Sequence, residues 1–170
     1  MIKEPRIAVC YIFPHDGHQG WAPKALEFAQ SYQRCPPGMN HETVIVCNGA
    51  TATQPSKDLF NGLPNLRFLD HDNSGWDIGG FQFAARSVPC DLMLFCGAHH
   101  YFRKPGWLVR MVEVMNDLGD TLYGAMGNQG DTRFNVFPHV RTTGFWCRPE
   151  LMARYPHKIV QEGGGGQRYE

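Results

Sequence analysis

The sequence has no net charge, no long apolar run and no close pair of cysteines, and each absence removes a class of function. Its 16 basic and 16 acidic side chains cancel. That balance speaks against a partner held by bulk charge, whether nucleic acid or an anionic membrane surface, although a local patch is still allowed. No apolar stretch approaches the roughly 20 residues that a membrane helix requires. Residues 1–6 lead into a strand-like segment without the apolar core of a signal peptide, so the chain reads as soluble and cytoplasmic. The six cysteines, at 10, 35, 47, 90, 96 and 147, are scattered. They read as small reduced hydrophobes rather than a disulfide framework or a zinc knuckle. A P-loop, a Gly-x-Gly-x-x-Gly after the first strand, a Gly-x-Ser-x-Gly and a His-Glu-x-x-His are all missing.

What the sequence does contain is a regular alternation of apolar runs and helical stripes, at a length of 170 residues that suits one domain with a sizeable core. Residues 6–13 form a nearly continuous apolar run, as expected of a central strand covered on both faces. Ala25, Phe28, Ala29 and Tyr32 mark a helix that Pro36-Pro37-Gly38 ends. Residues 41–47 and 65–69 read as the second and third strands, with a single short helical turn around 56–60 between them. Residues 91–96 are the fourth strand, and Leu108, Met111, Val112, Met115 and Leu118 give a helix closed by Gly119. Residues 121–126 and 140–147 read as the last two strands, separated by a long polar loop, and a short helix runs from 148 to about 155. This order predicts an α/β sandwich, a mainly parallel sheet flanked by helices. Residues 1–162 form the expected single domain, and 163–170 a glycine-rich flexible tail.

The least ordinary stretch is 69–86, where a polar, glycine-bearing turn joins the third strand to a helix that starts near Trp76. Asp72, Asn73 and Ser74 are capping types placed just before it, and Asp77 falls in the first turn, where a negative charge suits the helix dipole. Gly79 and Gly80 stand in the early turns at a cost of about 1 kcal/mol each relative to Ala. Either tight packing of helix on sheet or close approach of a ligand to the backbone would compensate. Ligands of such sheets collect at the carboxyl ends of the strands. The polar clusters at His15-Asp16, Asn48, 70–77 and 97–100 share that edge.

Taken together, Val-Ile-Val-Cys-Asn-Gly at 44–49, Asn-Ser-Gly-Trp-Asp-Ile-Gly at 73–79, Asp-Leu-Met-Leu-Phe at 91–95 and Lys-Pro-Gly-Trp-Leu at 104–108 resemble the nucleotide-diphospho-sugar transferases of the GT-A fold. The family 2-like and rhamnan-synthesis-like glycosyltransferases are the most similar. The resemblance spans residues 7–155 and implies transfer of a sugar from a nucleotide-diphosphate donor to a glycan or other acceptor, as in polysaccharide biosynthesis. It implies a donor site built from Phe13, His15, Asn48, Asp70, Asn73, Gly75, Asp77 and Gly79. Thr143 and Trp146 are the acceptor-side candidates, and Asp131 and Glu162 the candidate catalytic bases.

Departures from the family are equally specific. Where such enzymes carry an acidic residue at the end of the second strand, Cys47 and Asn48 stand. Where they carry an Asp-x-Asp that binds Mg²⁺ or Mn²⁺, the turn reads Cys96-Gly97-Ala98-His99-His100. Hard divalent ions prefer carboxylate oxygen and imidazole suits softer ones, so the metal site is absent or altered, with His99 as its one candidate ligand. Asp70-His71-Asp72 has the Asp-x-Asp form but follows the third strand, where it is either a metal motif or an ordinary turn. The family also adds an acceptor-side region after the sixth strand, so a fragment or a minimal member is expected. Two rival readings stay open: a degenerate module that binds a nucleotide sugar or glycan without turnover, and a histidine-dependent metal hydrolase on an unrelated α/β sheet.

Overall fold

The computed structural model describes residues 5–15, 19–128, 139–155, 159–162 and 166–169. Its centre is a six-stranded sheet of β1 (Ile7–Pro14), β2 (Glu42–Asn48), β3 (Leu66–His71), β4 (Leu92–Cys96), β5 (Tyr123–Gly124) and β8 (Gly144–Cys147), in the order β3-β2-β1-β4-β8-β5. The first four strands are parallel, and β8 runs antiparallel to β4 and β5. Around the sheet lie α1 (Ala22–Arg34), α2 (Gln54–Asp58), α3 (Trp76–Ser87), α4 (Trp107–Leu118) and α5 (Pro149–Ala153). Two small hairpins complete the description: β6 (Gly127–Asn128) with β7 (His139–Val140), and β9 (Ile159–Glu162) with β10 (Gly166–Tyr169).

The alternation of side chains along β1 divides the core in two. Val9, Tyr11 and Phe13 face the layer of α1 and α4, where Tyr11 stacks on Phe28 at 4.0 Å. Ala8, Cys10 and Ile12 face α3 and α5, where Phe81 stands edge-on to Phe95 and Phe145. All six cysteines are free and buried, as their apolar settings imply. The order of the strands reverses between β1 and β4, and the crevice outside their carboxyl ends is the ordinary ligand position of an open α/β sheet.

Several boundaries differ from those expected. β3 runs on through Asp70 and His71 because these residues pair with Cys47 and Asn48, so Asp70-His71-Asp72 is mostly strand rather than turn. The last two strands are much shorter than the apolar runs suggested: 139–140 leave the sheet to pair with 127–128, and only 144–147 lie beside β4. The stretch expected as an irregular glycine-rich tail contributes one strand of the β9–β10 hairpin. At the start of α3, Gly75 occupies the capping position with φ +73°, and no side chain caps the helix. Asp72 instead accepts a bond from the Ser74 amide at 2.9 Å, a local turn contact.

Tight packing accounts for the second early glycine of the Asn-x-Gly-x-Asp-Ile-Gly segment. A Cβ at Gly79 would stand 1.8 Å from the Ser74 carbonyl oxygen, a backbone atom that cannot swing away. A Cβ at Gly80 would meet the Ile12 Cδ1 at 2.8 Å, the movable tip of a side chain. Gly79→Ala is therefore expected to lower the unfolding free energy by about 1–3 kcal/mol, the ordinary cost of overpacking. Gly80→Ala should lose less, because relief of the helix-interior glycine returns about 1 kcal/mol. Urea titrations of both variants check this; a Gly79→Ala protein as stable as the parent would return this glycine to the ligand-approach reading.

Candidate functional site

A cleft of about 780 Å³ opens at the carboxyl ends of β1, β2 and β4. Its polar lining comes from Asn48 at the tip of β2, Asn73 and Asp77 around the start of α3, His99 after β4, and Arg141, Thr142 and Thr143 before β8. Trp21, Trp76, Ile78 and Phe145 supply much of its apolar wall. Apolar walls with a few convergent polar groups, in a volume of several hundred Å³, are what small-molecule sites ordinarily present.

The position of Asp77 follows from the glycine packing. The first turn of α3 leans over the end of β4, where a Cβ at Gly97 would stand 3.5 Å from the Asp77 Oδ2 and 3.0 Å from the Thr142 carbonyl oxygen. The Asp77 carboxylate has no hydrogen-bond partner among the described residues. Burial pushes its pKa above the usual carboxylate value, and the nearby His99 opposes this in part.

The two histidines after β4 part company. Tyr11 donates from its hydroxyl to the Ala98 carbonyl at 2.9 Å, and the Gly97 amide donates to the Thr143 carbonyl at 3.2 Å, which together hold the turn. His99 stays exposed on the cleft, its ring edge-on to Trp21 at 5.4 Å. His100 turns under the floor, donating from Nδ1 to the Thr143 carbonyl at 2.7 Å and packing at 4.7 Å from Phe102. Burial lowers its pKa, so it is neutral there.

On the β2 side, Asn48 is 2 % exposed and fully engaged. Its amide nitrogen donates to the Asn73 Oδ1 at 2.7 Å, and its own Oδ1 accepts from the His71 Nδ1 at 2.6 Å. His71 is held neutral by burial, which outweighs the opposing pull of Asp72. The triad fixes Asn73, whose backbone is left-handed at φ +67°, at the edge of the cleft.

Of the expected donor-site residues, Asn48, Asn73 and Asp77 meet in this one hollow together with His99 and Thr143. Others lie elsewhere. Phe13 packs edge-on to Phe60 within the α1-side core. His15 hydrogen-bonds Ser56, and Asp70 is exposed and accepts from the Ala52 amide at 2.9 Å. Gly75 and Gly79 shape the turn rather than line the cleft. Trp146, expected on the acceptor side, is 8 % exposed and stacks on Tyr123 at 5.5 Å. It lies on the opposite face of the sheet from Phe145, because adjacent strand residues alternate. Asp131 and the Glu162 side chain lie outside the described residues.

Trp21, Arg141 and Trp76 are among the lining residues that sequence reasoning missed. Trp21 precedes α1 in a segment with no periodic signal. Arg141 stands beside the expected Thr143 but had no motif to single it out. Trp76 sat inside the quoted segment as an unremarked position, yet it combines φ +53° with 37 % exposure, an uncommon pairing for a bulky side chain.

The burial of Asp77 yields a signed prediction. Its folded-state pKa lies above the unfolded value, so this group contributes stability only in acid and costs stability once ionised. Asp77→Asn should raise the unfolding free energy at pH 7, and the gain should shrink as the pH falls towards 4 and the parent carboxylate becomes protonated. Denaturant titrations at the two pH values measure it. A loss of stability at pH 7 would instead make Asp77 a helix-dipole partner.

No family model and no curated protein matches the sequence. Solved structures do. A mannosyltransferase from Pyrobaculum calidifontis in complex with GDP-Man and Mn²⁺ superposes with a TM-score of 0.66 at 15% identity, covering 96% of this chain and 50% of that one. Residues 1–349 of S. aureus TarS with UDP-GlcNAc give 0.60 at 14%, covering 91% and 48%. The galactosyltransferase LgtC with donor and acceptor sugar analogues gives 0.57 at 13%, covering 87% and 60%. The chain thus spans about half the length of the first two. These neighbours are GT-A-type glycosyltransferases. With a central sheet of parallel strands closed by an antiparallel one, and a cleft at the strand ends, the chain has the GT-A fold.

Proposed function

We propose that the chain binds a nucleotide-diphosphate sugar in this cleft and transfers the sugar to a hydroxyl of a glycan or similar acceptor. The observation that carries the reading is convergence: Asn48, Asn73, Asp77, His99 and Thr143, drawn from four separate segments, line one hollow of about 780 Å³. Fold alone would not suffice, since one fold hosts many functions. The glycosyltransferases with the same fold include ones solved with GDP-Man or UDP-GlcNAc, which supports this choice of ligand class.

In this reading Asn73 and Asp77 face the hydroxyls of the ribose or the donor sugar, and Trp76 offers its indole face to a base or sugar ring. Thr143 lies on the acceptor side. The acceptor oxygen bonds to the anomeric carbon as the bond to the diphosphate breaks, and the electron pair leaves with the diphosphate. The acceptor proton passes to a carboxylate, for which Asp131 and Glu162 are the proposed bases. A second reading, binding without turnover, is favoured by the lack of any carboxylate in the turn Gly97-Ala98-His99-His100. The hydrolase alternative has less to support it, since no group of three metal-ligating side chains occurs among the described residues.

Thermal unfolding with UDP-, GDP- and dTDP-sugars separates the readings. A ligand present at a hundred times its dissociation constant adds about 2.7 kcal/mol of apparent stability. Stabilisation with donor hydrolysis or transfer supports the transferase, stabilisation without turnover the binding module, and no response to any nucleotide sugar overturns both. Trp76→Gly sharpens the test, because it removes the indole and also the side chain that makes φ +53° costly. Donor affinity is expected to fall about tenfold or more, from the ~1–3 kcal/mol of base–aromatic stacking, while folding stability does not fall. Unchanged affinity in isothermal titration would remove Trp76 from the site.

A further inference from the structure

We propose that Arg141, with His99 in the same cleft, holds the diphosphate of the donor in the role that a divalent ion plays in enzymes with an Asp-x-Asp motif, so that this chain binds its donor without metal. The inference rests on the donor-site reading above and adds to it the means of charge neutralisation.

Magnesium and manganese sites of this kind are built from one or two carboxylates completed by phosphate oxygens and water. The residues present fit that poorly. Asp77 is the sole carboxylate among the described residues lining the cleft. Burial penalises its ionised form, the form that a metal ligand needs. Opposite it stands an imidazole, a donor suited to softer ions.

What the cleft does offer is fixed positive charge. Arg141 is the one guanidinium or ammonium among the described lining residues, it is exposed, and no described residue forms a hydrogen bond or ion pair with its guanidinium. Its backbone is anchored rather than loose. The Arg141 amide donates to the Met126 carbonyl at 3.0 Å. Two residues on, the Thr143 carbonyl accepts from both the Gly97 amide and the His100 Nδ1. The segment that carries Arg141 is therefore tied to the turn where the family's metal motif would stand. A guanidinium presents donors in a fixed fork that matches phosphate oxygens and is more weakly hydrated than an ammonium. One that lines a cleft without a partner among the described residues is available for an anion. During transfer the diphosphate gains one negative charge as the anomeric carbon–oxygen bond breaks, and Arg141 is placed to neutralise it without a proton or a metal.

The test is isothermal titration of the purified chain with UDP and with GDP, in EDTA and in Mn²⁺, for the parent, Arg141→Ala, Arg141→Lys and a control, Arg110→Ala, on the exposed face of α4. The parent is expected to bind one of the two equally well in EDTA and in Mn²⁺. Arg141→Ala should lose at least tenfold in affinity, about 1.4 kcal/mol, with Arg141→Lys in between and Arg110→Ala like the parent. All four should show the same thermal midpoint without ligand. Binding by the parent that requires Mn²⁺ overturns the inference whatever the variants do, as does an Arg141→Ala protein with parental affinity; either result leaves the donor-site reading intact. Failure of the parent to bind either nucleotide in both conditions overturns the inference and the donor-site reading together.

Discussion

The contact on which the site depends is between backbones, Gly79 of α3 against the Ser74 carbonyl, where any Cβ would collide. It sets how closely the turn at Ser74 folds against the start of α3, while Gly80 lets the helix sit on Ile12 and Val46 of the sheet. Asp77 reaches the end of β4, and there another missing side chain, at Gly97, leaves room for the carboxylate and for the Thr142 backbone. Three segments distant in sequence thereby reach one another at the point where the strand order reverses. The same geometry puts Asn73, Gly75 and Trp76 into left-handed backbone, and for Trp76 that conformation is costly. A chain selected for stability alone would carry a smaller or more permissive residue there.

Electrostatics at the cleft follows from which groups are paired and which are not. Asn48 and His71 satisfy one another, and His71 is neutral, so the β2 side contributes dipoles and no net charge. His100 is likewise neutral, and its Nδ1 is spent on the Thr143 carbonyl. The side chains of Asp77, His99 and Arg141 remain without hydrogen-bond partners among the described residues while they line the same cleft. Leaving a half-buried carboxylate unpaired costs stability, because its charged form is poorly solvated and receives no bond in return. Folding does not require that expense, and a ligand hydroxyl would repay it.

Much of the scaffold was legible because burial on both faces leaves a plain mark. β1, β2 and β4 are almost entirely buried, and each stood out as a continuous apolar run. The antiparallel edge was harder to read. Only two residues of β5 and four of β8 pair in the main sheet, and the apolar residues around them serve the hairpin and the cleft instead. Site residues were legible where they sat in a motif, as Asn73 and Asp77 did. They were not where the decision was one of phase: along β8 a shift of one residue exchanges Phe145, which lines the cleft, for Trp146, which does not. Arg141 and Trp21 carry no local signal, since their place in the site comes from tertiary approach of segments far apart in the chain.

The missing Asp-x-Asp has two possible consequences, which differ in the charge that the cleft must meet. A module that only binds must meet the charge of the ground-state diphosphate. A transferase must meet one further charge that develops as the sugar departs, and only interactions that strengthen at that moment accelerate the step. Had the cleft held neutral groups in place of the acidic motif, loss of turnover would follow from the sequence. It holds instead an exposed arginine on an anchored backbone, its guanidinium without a partner among the described residues, and an exposed imidazole. An arginine carries its positive charge without a metal or a transferred proton, so it can meet charge that develops on the leaving oxygen. The altered turn after β4 is therefore compatible with catalysis in this chain, and the absence of the acidic pair does not by itself assign the chain to the binding class.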